Sequence, residues 1–425
     1  MLFTLPLFIA LLATSGFQEK AAEGPKRFGH SRGFGKSVLV LSDLNADGVS
    51  EIAVGFPLDN AVVVISGKDR STLQTWKGDR NTISMGTELS LTGDVNGDGT
   101  LDVLVGFNPY FYNEEEDYCE VRSGLDGSLL RILRICSKYV FAFGDLDLDG
   151  ASDLALSRDE CLEVVSGRTD ESLALQPHAG SHTQLWLGAD RNGDGLADGV
   201  LVGEELALLL SDGYLRGMIT IGFPSMPRQS PVALYPKERR IPLKRLAGQN
   251  WPSSLVGLQF IFDAGDLNGD GREDLLVHHP RKKHLGLLAF SWATPELSMY
   301  RLPPTYKDTE GSQLDYVVAA GMQLDGGQAP DLVLCDYDQV LNIRLQARSG
   351  EKGELLWQTD LYDLGGPTFA SLAPMPDLNG DGIDEVMLGM YDPKAHGPLW
   401  EGRLQALSGA TGKVLWRIEE WDVKR

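Results

Sequence analysis

Apolar residues along this chain fall in short runs, and no segment shows a helical period. Representative runs are SVLVLS (37–42), EIAVG (51–55), AVVVISG (61–67), YVFAFG (139–144) and DLLV (274–277). Each is bounded by Gly, Asp, Asn or Ser, the residues that turn a chain, so each predicts a β-strand of ordinary length. The runs come in sets. A first strand precedes an acidic loop and a second strand follows it. A third ends in Ser-Gly, as in CLEVVSG (161–167) and RLQALSG (403–409), and a turn such as GLDG (124–127) or GATG (409–412) leads to a fourth, KVLWRI (413–418) in the last set.

The acidic loop recurs. DLNADGVSEIAVGFP begins at Asp43, DVNGDGTLDVLVGFN at Asp94, DLDLDGASDLALS at Asp145, DRNGDGLADGVLVG at Asp190, DLNGDGREDLLVH at Asp266 and DLNGDGIDEVMLGM at Asp377. A decayed copy, QLDGGQAPDLVL, begins at Gln323. Seven repeats of roughly 56 residues, each with four short strands, describe four-stranded blades. Radial repetition of such blades hides most strand edges, so the expected fold is all-β, a seven-bladed β-propeller of four-stranded antiparallel blades with calcium loops. The predicted division is a secretory signal at 1–16, a linker at 17–26 and one propeller at 27–425.

Within the loops, side-chain oxygens fall at positions 1, 3, 5 and 9, with Gly at position 6 and a main-chain carbonyl between, at position 7. The first loop offers Asp43, Asn45, Asp47 and Glu51 with Val49; the second, Asp94, Asn96, Asp98 and Asp102 with Thr100. The third offers Asp145, Asp147, Asp149 and Asp153 with Ala151; the fourth, Asp190, Asn192, Asp194 and Asp198 with Leu196. The fifth offers Asp266, Asn268, Asp270 and Asp274 with Arg272; the last, Asp377, Asn379, Asp381 and Glu385 with Ile383. Alternate residues let one tight turn wrap around a point, and a hard cation taking six to eight oxygens matches the donors, so Ca²⁺ is expected at about six sites. Asn/Asp-rich hairpins also form without metal, because these residues favour turns. An EF-hand is excluded: its position-12 Glu is replaced by Val54, Val105 or Leu156, and a strand follows. The decayed loop keeps only Gln323, Asp325 and Asp331, with Gly327 for the central acid, and is expected to hold no ion.

Phe34-Gly35 precedes the first loop and VGFP (54–57) follows it; Met85-Gly86 and VGFN (105–108) keep that register in the second repeat. In these features the chain resembles the FG-GAP repeat family, whose best-known members are the propeller heads of integrin α chains. The resemblance covers about residues 27–422, although later repeats lose the Phe-Gly pair. It implies calcium-stabilised blades and a ligand face opposite the calcium loops. The SGATGKVLW segment (408–416) also resembles bacterial propellers related to quinoprotein repeats.

Composition sharpens this reading. The chain has 425 residues, 42% of them hydrophobic, enough for a core, and a net charge of −22, which argues against nucleic acid as a main partner. Nineteen of the 60 acids sit at loop ligand positions, so much of the acidity is local. The apolar run 2–12 followed by Ala13-Thr14-Ser15-Gly16 fits an export signal and is too short to span a bilayer, although its positive n-region is missing. The expected location is secreted, periplasmic or cell-surface. Cys119, Cys136, Cys161 and Cys335 match no zinc spacing and leave their pairing open.

An insertion at 222–254 carries Arg228, Lys237, Arg239, Arg240, Lys244 and Arg245 against Glu238, and HHPRKKH (278–284) adds Arg281, Lys282 and Lys283. Together they form a candidate basic patch for an anionic glycan or extracellular protein. A solvated, Pro-stiffened loop is the plainer alternative. The loop NEEEDY (113–118) is acidic. His278, His279 and His284 make a poor zinc set, because adjacent strand residues point to opposite faces. Trp76, Trp357 and Trp416 occupy matching fourth-strand positions and are expected to pack between blades. No GxSxG, HExxH, P-loop or RGD motif occurs. The expected role is a monomeric adhesion or interaction module, not an enzyme. A propeller of the polysaccharide-lyase type and a purely structural matrix component stand as alternatives.

Overall fold

The computed structural model describes residues 33–78, 84–106, 118–134, 137–144, 147, 149–158, 161–169, 171–177, 182–188, 198–203, 207–212, 217–222, 260–269, 274–278, 287–290, 298–302, 315–337, 343–361, 369–391 and 402–423. The predicted signal and linker, most of the fourth loop, the basic insertion beyond Gly222, the basic loop beyond His278 and the acidic loop before Tyr118 lie outside these residues, and so does Cys136.

The described residues form seven four-stranded sheets. The first is β1 (Val38–Val40), β2 (Ile52–Phe56), β3 (Ala61–Ile65) and β4 (Thr72–Lys77). The second is β5 (Glu88–Gly93), β6 (Asp102–Gly106), β7 (Tyr118–Arg122) and β8 (Leu129–Arg134); the third is β9 (Ser137–Gly144), β10 (Asp153–Arg158), β11 (Cys161–Val165) and β12 (Ser172–Pro177). The fourth comprises β13 (His182–Gly188), β14 (Asp198–Gly203), β15 (Ala207–Asp212) and β16 (Gly217–Gly222). The fifth comprises β17 (Phe260–Gly265), β18 (Asp274–His278), β19 (Leu287–Phe290) and β20 (Ser298–Leu302). The sixth is β21 (Asp315–Met322), β22 (Asp331–Tyr337), β23 (Ile343–Arg348) and β24 (Leu355–Leu361); the seventh is β25 (Phe369–Met375), β26 (Glu385–Tyr391), β27 (Arg403–Leu407) and β28 (Val414–Glu419). Every sheet is an antiparallel meander of consecutive strands, the order of a propeller-like blade. Of the expected strand between 37 and 42, Val38–Val40 forms β1, and the Leu41 N–H still donates to the Glu51 carbonyl at the foot of the acidic loop.

Burial explains the apolar pattern. In the first sheet β2 and β3 are buried at every position, whereas β4 alternates. The middle strands are covered on both faces by neighbouring sheets, so they read as continuous apolar runs; the fourth strand lies half in water. Leu73, Leu129, Ile132, Leu355, Val414 and Leu415 are exposed, and all belong to fourth strands.

The core sits between sheets rather than within one. One apolar cluster joins the first and second sheets through Val62, Val64, Trp76, Met85, Val103 and Val105. Others join the second to the third and the sixth to the seventh. A further cluster joins the seventh to the first, bringing Phe34, Ile52, Val54 and Phe56 against Met375, Met387, Leu404 and Ile418. First strands touch in succession from β1 through β5, β9, β13, β17, β21 and β25, and β25 touches β1 again.

The Phe-Gly pair now has a physical role. Gly35 has φ +85°, and a Cβ there would lie 2.6 Å from the Arg403 carbonyl oxygen of the seventh sheet. Phe34 is fully buried, meeting Phe56 edge-on at 5.4 Å between ring centroids. In the second repeat Met85-Gly86 packs in the same way against Ala61 and Gly55 of the first sheet. Hydrogen bonds repeat the relation: Ser37 Oγ donates to the Gly86 carbonyl at 2.7 Å, and Ser371 Oγ donates to the Gly35 carbonyl at 3.2 Å.

The tryptophans also lie between sheets. A Cβ on Gly127, in the last turn of the second sheet, would fall 1.9 Å from Trp76 Nε1 of the first. Trp357 of the sixth sheet donates to the Gly409 carbonyl of the seventh and lies against Gly412. Trp416 packs on the cluster joining the seventh and first sheets.

Candidate metal centre

Each acidic loop joins the first and second strands of its sheet, and its local order follows from its own side chains. In the first loop Asp43 accepts backbone N–H bonds from Asp47 (3.1 Å) and Gly48 (2.8 Å). Asn45 Oδ1 accepts from Asp47 N at 2.9 Å, and Asp47 Oδ1 accepts from Val49 N at 3.0 Å. The second and last loops repeat this pattern through Asp94, Asn96 and Asp98 and through Asp377, Asn379 and Asp381. Positions 3 and 5 thus form successive Asx-turns, position 1 gathers the N–H groups four and five residues on, and Gly48 at position 6 holds φ +88°. The turning N–H groups, Gly48 foremost, hold the Asp43 carboxyl below the usual carboxylate range; Gly382 does the same for Asp377. Asp98 is lowered chiefly by the Asn96 side chain.

Position 9 divides the loops. It opens the second strand and is fully buried in Glu51, Asp102, Asp153, Asp274, Asp331 and Glu385. Asp102 Oδ2 accepts from Val95 N (2.7 Å) and Asn96 N (3.3 Å), while Oδ1 accepts from Gly124 N (3.2 Å) in the Ser-Gly turn after the third strand. Asp153 Oδ1 reaches Gly167 N at 2.9 Å. Asp274 accepts from Leu267 N and from the Asn268 amide. In the decayed loop Asp331 accepts from Leu324 N, Asp325 N and Gly350 N, at 2.7, 3.0 and 3.0 Å. The short Asp side chain therefore ties its loop to the Ser-Gly turn even where the rest of the ligand set is gone.

Glutamate, one methylene longer, behaves differently. Glu51 Oε2 accepts from Leu44 N, whereas Oε1 is buried with no hydrogen-bond partner. Asp43, Asp47 and Glu51 each present a carboxylate oxygen, and all three lie within 4.8 Å of one another; Asp377, Asp381 and Glu385 do the same. Among the described residues these are the acidic sets so assembled, and Asp94, Asp98 and Asp102 of the fully described second loop do not form one. Burial pushes the Glu51 carboxyl up and pushes Glu385 up to about 7, with Asp381, Asp377 and Asp384 adding to the latter. Burial likewise raises Asp102 and Asp331.

Of the other loops, Asp147 accepts from Asp149 N and Asp149 from Ala151 N in the third, and Asp266 and Asn268 belong to the described part of the fifth. Asp145, Asp190, Asn192, Asp194, Leu196, Asp270 and Arg272 lie outside the described residues. So do Arg239, Arg240, Lys244, Arg245, Arg281, Lys282 and Lys283. By sequence the Ser-Gly glycines are turn residues; the structure gives them a second role. A Cβ on Gly124 would lie 1.9 Å from the Leu101 carbonyl, and Gly167 and Gly350 are as tightly placed under the residue preceding position 9. Their recurrence was the visible signal; their partner was not.

No protein-family model matches the chain. Part of it is similar to integrin alpha-2 of Mus musculus, 33% identical over 103 residues that make up 21% of this chain and 9% of the integrin. Integrin alpha-2 of Bos taurus is 36% identical over 97 residues, 20% of this chain and 8% of the integrin. The chain thus spans less than a tenth of the length of these curated relatives. Among solved structures, the V. cholerae biofilm matrix protein Bap1 aligns at TM-score 0.44 and 14% identity, over 90% of this chain and 79% of that one. The rhamnogalacturonan lyase YesX aligns at 0.45 and 14%, over 90% and 65%. No helix among the described residues is long and apolar enough to cross a membrane.

Proposed function

We propose that this chain is a seven-bladed propeller of FG-GAP type whose acidic loops bind Ca²⁺, and that it serves as an exported adhesion or interaction module rather than an enzyme. One observation carries the metal reading: the fully buried Glu51 carboxylate has one oxygen without a partner, in a set of three carboxylates whose oxygens lie within 4.8 Å. Burying an ionised group without a partner is costly, and a cation removes that cost. The spacing suits Ca²⁺, since ligands at about 2.3–2.6 Å from an ion can stand no more than roughly 5 Å apart. The residues that would hold it are Asp43, Asn45, Asp47 and Glu51 with the Val49 carbonyl, and their counterparts in the last loop. Bound only by the folded state, Ca²⁺ would stabilise it by about 3–4 kcal/mol per site at concentrations 100–1,000 times the dissociation constant.

The interaction role is supported by the local likeness to integrin alpha-2 and by the absence of a catalytic motif in the sequence. Calorimetric unfolding with excess Ca²⁺ and with EDTA tests the metal reading: a raised melting temperature in Ca²⁺ is expected, and identical melts would sink it. For the partner, an extracellular protein or anionic glycan, charge reversal at Arg239, Arg240, Lys244 and Arg245 is expected to abolish retention on anionic glycan; unchanged retention removes the basic patch from the proposal. Assay on pectin-type substrates for unsaturated product is expected to be negative, and product formation would favour a lyase.

A further inference from the structure

We infer that the position-9 glutamate makes the first loop the tight cation site of this protein, and that cation binding there stiffens the joint between the seventh and first sheets. The inference rests on the metal reading above and goes beyond it by ranking the loops and assigning the ion a mechanical role.

The ranking comes from the chemistry of position 9. An aspartate there has its oxygens occupied by backbone N–H groups: three for Asp102 and three for Asp331. Asp331 keeps those bonds in a loop that has lost the acids at positions 1 and 5, so the arrangement exists independently of a cation. Glu51 is fully buried and leaves Oε1 unpartnered beside Asp43 and Asp47. The longer side chain has left the Ser-Gly turn and joined the acidic set. Glu385 groups likewise with Asp377 and Asp381, but both its oxygens are taken, Oε2 by Leu378 N and Oε1 by the Asn379 amide at 2.6 Å, so the last loop ranks below the first. Ligand charge and number set the affinity of calcium loops, so a buried third carboxylate gained or withheld separates tight from weak.

The mechanical role comes from position in the fold. Glu appears at position 9 only in the first and last repeats, and their sheets meet through β1 and β25. Val49 of the first loop and Leu378 of the last pack against one apolar cluster, which is built from residues of the seventh and first sheets. A Cβ on Gly67, in the first sheet, would fall 2.7 Å from Met375 Cε of the seventh. Other neighbouring sheets follow one another along the chain, whereas this joint pairs residues as far apart as Ser371 and Gly35, separated by 336 positions. Closing so long a loop carries the largest entropy cost in the ring. A first loop made rigid on that cluster holds the joint where the chain cannot.

The test uses the full chain with Ca²⁺ or Tb³⁺ as probe. Calorimetric titration is expected to show one tight site and a weaker class. Glu51→Asp should remove the tight site, weakening it at least about tenfold, whereas Asp331→Asn, in the loop expected to hold no ion, should leave it in place. Hydrogen exchange on the unmutated protein supplies a readout independent of any variant. Ca²⁺ should slow exchange in β1, β2 and β25 to β28 more than in β5 to β12. A tight class unchanged by Glu51→Asp, or protection spread evenly over all sheets, would overturn the inference and leave calcium binding standing. Absence of any binding would instead remove the metal reading beneath it.

Discussion

Glu385 makes the stability of the chelated protein depend on pH in a direction opposite to that of an ordinary ion-paired carboxylate. Its side chain is fully buried, and burial together with Asp381, Asp377 and Asp384 pushes its carboxyl up to about 7 from the ordinary 4.5. Between those values the folded state keeps a proton that the unfolded state releases, so stability falls as pH rises through the window. At 1.36 kcal/mol per pH unit the full gap corresponds to roughly 3 kcal/mol. Salt screens the exposed Asp377 and Asp381, which leaves on the order of 2 kcal/mol. Glu51, also raised by burial, acts in the same direction. The lowered Asp43 and Asp377 act oppositely, but their contribution is lost only as pH falls below their ordinary 3.8, outside the range to be scanned. With Ca²⁺ bound as proposed, the dependence should reverse, because the ion would take the place of the proton and acid would compete with it. The assay is urea unfolding followed by tryptophan fluorescence at pH 5 and pH 8, in EDTA and in Ca²⁺. In EDTA the midpoint should drop between pH 5 and pH 8, and Glu385→Gln should flatten the drop. A midpoint in EDTA that rises or stays level would refute the reasoning.

Asp331→Ala should cost roughly 2–4 kcal/mol by leaving the buried N–H groups of Leu324 and Gly350 unpaired, and the loss should be equal in Ca²⁺ and EDTA, since this loop is expected to hold no ion. Phe34→Ala should cost about 3–5 kcal/mol in denaturant unfolding, because a fully buried ring is removed from the cluster joining the seventh and first sheets. Gly127→Ala should cost about 2–4 kcal/mol, combining φ +73° with displacement of the Trp76 ring, and should shift tryptophan emission.

The repeat and its four strands were legible because they are local. Apolar runs, the spacing of Asp43, Asn45 and Asp47, and the bend at Gly48 act over a few residues, so the loop's Asx-turns follow from composition alone. The inter-sheet place of Trp76 and Trp357 could be anticipated for the same reason, from matching positions in successive repeats. Position 9 could not be ranked in this way. In the text Glu51 and Asp102 are equivalent acids, and both count as ligands. Their difference arises from a partner some twenty residues downstream, the Ser-Gly turn, which Asp102 reaches at Gly124 and which Glu51 Oε1 leaves. The joint between sheets is more distant still. Phe34-Gly35 marks a repeat by its pattern, yet its reason for being there, the carbonyl of Arg403 and the hydroxyl of Ser371, comes from the other end of the chain. Period and turn chemistry are properties of neighbouring residues, whereas the fate of a buried carboxylate and the closure of the ring depend on which surfaces packing brings together.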